Sequence, residues 1–228
     1  MFDELCQVQQ GVLTRRQALE CGVTRGQLAA HLRGGRWQRL LPRVYATFTG
    51  PPPRSAHLWA VVLWAGRGAV LSHETAAELA GFCDEPASIV HVTIPADRRV
   101  RTVPGVVVHH APVTRAHPTR LPPRTRTEET VLDLVRQARS LEQALAWLTR
   151  ACGRRITTAD RLVVALAQRA RIRWRAEIRA ALGHIAAGCH SPLELRYLRE
   201  VERCHRLPRG ERQVVRLRPG GGGRWYFA

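Results

Sequence analysis

One helix-opening pattern occurs twice, ten residues apart, and this repeat constrains the N-terminal fold more than any other feature. Thr14-Arg15-Arg16-Gln17 and Thr24-Arg25-Gly26-Gln27 each place a threonine three residues before a glutamine. With that spacing the hydroxyl and the amide side chain each satisfy a backbone group of the other residue, forming a capping box. Between the two copies, Gly22 supplies a helix stop and Val23 an apolar staple. Two helices joined by a tight turn are therefore expected. An opening helix is predicted from Asp3 to Gln10. In the helix that starts at Thr24, Leu28 and Leu32 fall on the inward stripe, while Arg25, Gln27, His31 and Arg33 fall outward. Gly34-Gly35 ends this helix. Trp37 to Leu41, a Pro42-Arg43 turn and Val44 to Thr47 then read as a two-stranded ribbon. Helices followed by a hairpin are the order of a winged helix-turn-helix, predicted over residues 1–50.

The remainder reads as α+β and mainly helical. Pro51-Pro52-Pro53 marks a first boundary. A mixed strand and helix domain is expected over 54–187, with helices at Ser55–Ala65 and Ser72–Gly81, the second capped by Ser72. Ile89 to Ile94 and Val106 to His110 are β-branched runs expected to pair across the basic loop at Arg98-Arg99-Val100-Arg101. Helices follow at Thr130–Arg139, Ser140–Cys152, Thr158–Ala170 and Arg175–Ala187. Gly188 to Ser191 forms a second boundary. A last segment, 188–228, is expected to hold one helix and two strands around a Pro219-Gly220-Gly221-Gly222-Gly223 turn.

Charge narrows the partners. Thirty-six basic residues against 18 acidic ones give a formal charge of +18. All of them are arginine, and neither Lys nor Asn occurs, a bias that GC-rich codons produce by themselves. The excess still attracts polyanions with a salt-dependent force. The first turn of the Thr24 helix is where a groove-binding helix meets base edges, Arg25 suiting guanine and Gln27 adenine. Arg36, Arg39 and Arg43 would then lie near phosphates, which position a domain without reading sequence. The bland alternative is a protein-docking module decorated with arginine. The longest apolar run, Leu58 to Ala65, is eight residues, far short of the roughly 20 a membrane helix needs. A cytoplasmic protein without membrane contact is expected.

Recognisable chemistry is sparse. His73-Glu74-Thr75-Ala76-Ala77 starts like a zinc-protease helix but has Ala77 where the second histidine belongs. Cys189-His190 and Cys204-His205 can be drawn as a zinc site, yet neighbouring residues on a helix point apart. Asp133, between Leu132 and Leu134, reads as a packing or capping partner. His73 with Glu74 is expected at a helix start and His109-His110 at a strand end. No nucleophile, base and orienting acid fall at a recognisable spacing, and no metal ligand or cofactor is expected.

Several runs, in this order, resemble the AbiEi-type antitoxins and related actinobacterial regulators. They are Gly11-Val12-Leu13-Thr14-Arg15-Arg16-Gln17-Ala18, Gly22-Val23-Thr24, Gly35-Arg36-Trp37 and Val44-Tyr45, then Leu71 to Ala77, Val90 to Pro95 and Thr127 to Leu134. The resemblance covers about residues 7 to 187. It implies a winged helix that binds double-stranded DNA at a promoter, and a nucleotidyltransferase toxin as a second partner.

The last segment has its own resemblance. Ser191-Pro192-Leu193-Glu194, the helix after it, Leu207-Pro208 and Gln213-Val214-Val215 resemble the opening of very-short-patch-repair endonuclease domains, of the restriction-endonuclease-like fold. The resemblance implies that Glu194 stands where an acid helps position a divalent metal for DNA cleavage. Mg²⁺ needs several oxygen ligands, and the last Asp in the chain is Asp160. An incomplete nuclease-like fragment with a vestigial Glu194 is therefore expected, Mg²⁺ entering only if the domain were intact. The rival reading is a DNA endonuclease whose intact relatives cleave.

Overall fold

A computed structural model describes residues 1–188, together with Tyr197, His205 and the segments 214–217 and 224–227. By its internal contacts the chain forms two units. One holds Met1–Leu79 with Cys83–Arg126; the other holds Ala80–Phe82 with Thr127–Ala228.

The first unit begins with α1 (Phe2–Val8), β1 (Val12–Thr14), α2 (Arg15–Glu20), α3 (Arg25–Arg33), β2 (Gln38–Leu41) and β3 (Val44–Ala46). Both capping boxes form as the spacing requires. Gln17 N–H donates to Thr14 Oγ1 at 3.1 Å, and Thr14 N–H to Gln17 Oε1 at 2.9 Å. The strands form an antiparallel sheet in the order β1-β3-β2. Strand β1 is an addition to the sequence expectation. Only three residues long, it pairs Leu13 with Tyr45 and Val12 with Ala46.

Alternation along these strands gives the small sheet two buried faces. Leu13 and Tyr45 face Ala18, Leu28 and Trp37, with Phe2, Leu5 and Leu32 packed around them. Val12 and Val44 face the other way, onto Ala56, Trp59 and Ala60 of α4 (Arg54–Ala65). That second face explains why the proline run at 51–53 does not separate two compact units: α4 covers the back of the sheet.

Beyond α4 come β4 (Val70–Leu71), α5 (His73–Ala80), β5 (Val90–Pro95) and β6 (Val106–Ala111). They form a second sheet in the order β4-β5-β6. The two β-branched runs pair, and they do so in parallel, Val90 opposite Val106 through Pro95 opposite Ala111. Parallel neighbours ordinarily need a crossover of a dozen or more residues, usually helical. Here the link is the helix-free stretch 96–105. It is anchored at both ends by Ala96 N–H to Ala111 O and Val90 N–H to Gly105 O, each 2.9 Å. Ser72 N–H donates to His91 O at 3.0 Å. Its hydroxyl, expected to cap α5, accepts from Thr93 Oγ1 at 2.8 Å.

The second unit carries α6 (Thr127–Gln137), α7 (Leu141–Gly153), α8 (Ala159–Ala167) and α9 (Arg175–Ala186). Ser140 and Thr158 cap α7 and α8 through their hydroxyls. Leu132, Leu148, Leu162, Leu166, Ile178 and Leu182 are fully buried. Arg169 also lies inside, with Nη2 2.5 Å from Glu129 Oε2 and Nη1 2.8 Å from Asp133 Oδ1. Asp133, read from sequence as a packing or capping partner, is an ion-pair partner of Arg169. Strands β7 (Val214–Leu217) and β8 (Arg224–Phe227) pair antiparallel. No described helix is long and apolar enough to cross a membrane.

Candidate nucleic-acid interface

The sequence from Arg25 to Gly50 contains five arginines, Arg25, Arg33, Arg36, Arg39 and Arg43, and no acidic residue. All five are exposed. Helix α3 displays Arg25 and Arg33, the turn after it Arg36, and the hairpin Arg39 and Arg43. Local structure fixes several of them. Arg43 sits at the hairpin turn with a left-handed φ of 63°, and its carbonyl accepts Arg15 N–H at 2.8 Å. Arg39 lies with its guanidinium 5.9 Å from the ring centre of Tyr45. The ladder between β2 and β3 slips between Arg39 and Leu41, a bulge that bends the hairpin.

His31 and Arg36 are tied together. Arg36 Nε donates to His31 Nδ1 at 3.0 Å, and the imidazole stacks on Trp37 at 5.1 Å between ring centres. His31 therefore links the end of α3 to the turn and holds the Arg36 guanidinium.

Thr24 and Gln27 form the cap of α3. Thr24 N–H donates to Gln27 Oε1 at 2.8 Å, and Gln27 N–H to Thr24 Oγ1 at 3.2 Å. An adenine contact of the bidentate kind uses both the oxygen and the nitrogen of a glutamine amide. Gln27 has its oxygen engaged, so such a contact opens the capping box. Arg25 carries no such commitment in the cap.

Arginines outside the pattern read from sequence join this surface. A cleft of about 640 Å³ is lined by Arg15 and Arg16 of α2, Arg43 of the hairpin turn, and Arg67 and Arg98. Trp59, Val62, Leu63 and Trp64 form its apolar wall. Arg98 donates to Arg67 O at 2.7 Å. A side chain at Gly66 would meet the Arg98 guanidinium at 2.6 Å, and φ there is +84°. Five arginines and no acidic residue line this cleft, so its charge is of one sign. Arg15-Arg16 was visible beside the Thr14 cap; Arg67 and Arg98 join through the folding of α4 and the crossover loop, which no local pattern signals.

Glu194, Cys189, His190 and Cys204 lie outside the described residues. Among the described residues, the one grouping of three or more potential metal-ligating side chains is His73 at the start of α5 with His91 and His109 on the second sheet.

The architecture defined by these elements is α+β. No family model and no curated protein matches the chain. Among solved structures, the chain is similar to the RV2827C protein from Mycobacterium tuberculosis, with a TM-score of 0.51 and 18% sequence identity. The likeness covers 86% of this chain and 78% of that one. At this identity it is a likeness of fold.

Proposed function

We propose that the chain is a DNA-binding regulator of the AbiEi-like kind, whose residues 1–50 act as a winged helix-turn-helix on double-stranded DNA. The observation that carries this reading is the set of five exposed arginines in the acid-free stretch from Arg25 to Gly50, placed along α3, its following turn and the hairpin. In this reading α3 lies in the major groove and Arg25 reads a guanine. Thr24 and Gln27 hold the first turn of α3 rigid. Arg33, Arg36 with His31, Arg39 and Arg43 contact phosphates and set the docking angle. The cleft of Arg15, Arg16, Arg67 and Arg98 supplies a further phosphate contact at the α2 side. A cytoplasmic location and freedom from membranes accord with this role. A nucleotidyltransferase toxin as partner rests on the family resemblance. The endonuclease reading rests on Glu194, which lies outside the described residues.

Selection from a randomised duplex library tests the proposal. The full chain is expected to enrich a defined motif, and Arg25→Ala to relax preference at one position of it. Absence of enrichment would overturn the reading.

A further inference from the structure

Three histidines distant in sequence meet on the second sheet of the first unit. His91 on β5 and His109 on β6 share a face, because the parallel register sets His109 opposite Thr93, two residues from His91. His91 Nδ1 and His109 Nε2 are 3.0 Å apart. His73, at the start of α5, stacks on His109 with ring centres 3.8 Å apart and lies 5.5 Å from His91. One ligating atom from each of the three falls within 4.8 Å of the others.

Burial and backbone geometry mark this cluster as built. His73 is 2% exposed and His91 8%. His73 adopts a φ of 50°, a left-handed conformation that costs a non-glycine residue energy and gathers at functional positions. The outer nitrogens are held as well. His73 Nδ1 is 3.0 Å from Ser72 Oγ, which itself accepts from Thr93 Oγ1. His91 Nε2 is 3.1 Å from Glu74 Oε2. That carboxylate oxygen is buried, and in spite of the short distance it lacks an aligned hydrogen bond. A buried carboxylate oxygen left in this state costs free energy unless positive charge lies near.

We propose that His73, His91 and His109 bind a divalent first-row transition metal ion of the zinc class. Imidazole nitrogen suits this group of metals. Tetrahedral zinc with bonds near 2.0–2.1 Å sets its ligand nitrogens roughly 3.3 Å apart. The His91–His109 pair stands near that spacing, and a swing of one imidazole by roughly 1.5 Å closes the widest gap. Ligating histidines ordinarily present their second nitrogen to a carboxylate or other polar group, which fixes ring orientation and raises basicity. Ser72 does this for His73, and Glu74 Oε2 stands 3.1 Å from the outer nitrogen of His91, placed to accept from it once the ring turns toward a metal. Glu74 is a positioning residue, and its charge offsets part of the ion's. Three protein nitrogens leave a fourth position for water or an anionic ligand.

The test uses the full chain, stripped with a chelator and given one equivalent of Zn²⁺. X-ray absorption at the zinc edge is expected to show three imidazole nitrogens at about 2.0–2.1 Å and no sulfur. In competition with a chromogenic chelator, His91→Ala/His109→Ala is expected to lose at least about 100-fold in affinity, and Glu74→Gln about 10–100-fold. His110→Ala, on the opposite, exposed side of β6, is expected to bind as the wild type does. Sulfur in the zinc shell, fewer than three imidazoles, or undiminished binding by the double variant would overturn the proposal. The absorption spectrum of the wild type decides the matter even if the double variant fails to fold.

Discussion

Gln27 is held by Thr24. The two residues exchange hydrogen bonds of 2.8 and 3.2 Å across the first turn of α3, so the residue best suited by type to read adenine is occupied in capping the helix that would carry it. Thr24→Ala is expected to cost about 0.5–2 kcal/mol of stability, measured by denaturant unfolding. Gln27→Ala is expected to change base preference less than Arg25→Ala, whose loss costs about 1–3 kcal/mol at one position.

Arg39 and Arg43, on the hairpin, are assigned to phosphates. Alanine at either is expected to weaken binding about equally on all duplex sequences and to lower the log–log salt slope by about one. Binding isotherms at a series of salt concentrations check this. An effect confined to one sequence would move these residues into base reading.

The largely buried group of Arg169, Glu129 and Asp133 sets two carboxylates against one guanidinium. Burial pushes the Asp133 carboxyl above the ordinary carboxylate range, with Glu129 adding to it and Arg169 opposing it. An acid whose pKa rises on folding favours the native state most when protonated, so its charged form costs stability at neutral pH. Asp133→Asn is therefore expected to be at least as stable as the wild type at pH 7. That advantage should shrink as pH falls through the raised carboxyl pKa and into the ordinary carboxylate range. Arg169→Met strands both carboxylates and is expected to cost about 3–5 kcal/mol. Denaturant midpoints across the pH range measure both.

Burial pushes the Cys152 thiol up to about 11. At pH 8 only about one molecule in a thousand then presents the reactive thiolate. Mass mapping after brief alkylation of the native protein is expected to leave Cys152 unmodified and to find it modified after denaturation.

The helix starts were legible in the sequence because capping is local. Thr14 and Thr24 each declare themselves within three residues, and each caps a helix; the helices expected from Ser140 and Thr158 form with those residues as caps. The strands that depend on distant partners were not. Val12–Thr14 is a strand only because Val44–Ala46 lies beside it, and Val70–Leu71 only because of β5. The two β-branched runs were visible in the sequence but their direction was not, because the parallel register is a relation between segments and no pattern within either run encodes it. The same cause hid the histidine cluster. His73, His91 and His109 have no common spacing, and a parallel register together with a strained helix start brings them together. In the candidate interface, the arginines of α3 and the hairpin followed from helix and ribbon patterning. Commitment of Gln27 to the cap, and the arrival of Arg67 and Arg98 in the cleft, depended on geometry.

DNA binding by the chain is measured by the fluorescence anisotropy of a labelled duplex titrated with the full chain, repeated as salt is raised. Binding is expected to fall linearly in log affinity against log salt. The triple variant Arg25→Ala/Arg36→Ala/Arg43→Ala is expected to bind far more weakly and with a shallower slope. Affinity indifferent to salt, or equal for the variant and the wild type, would contradict it.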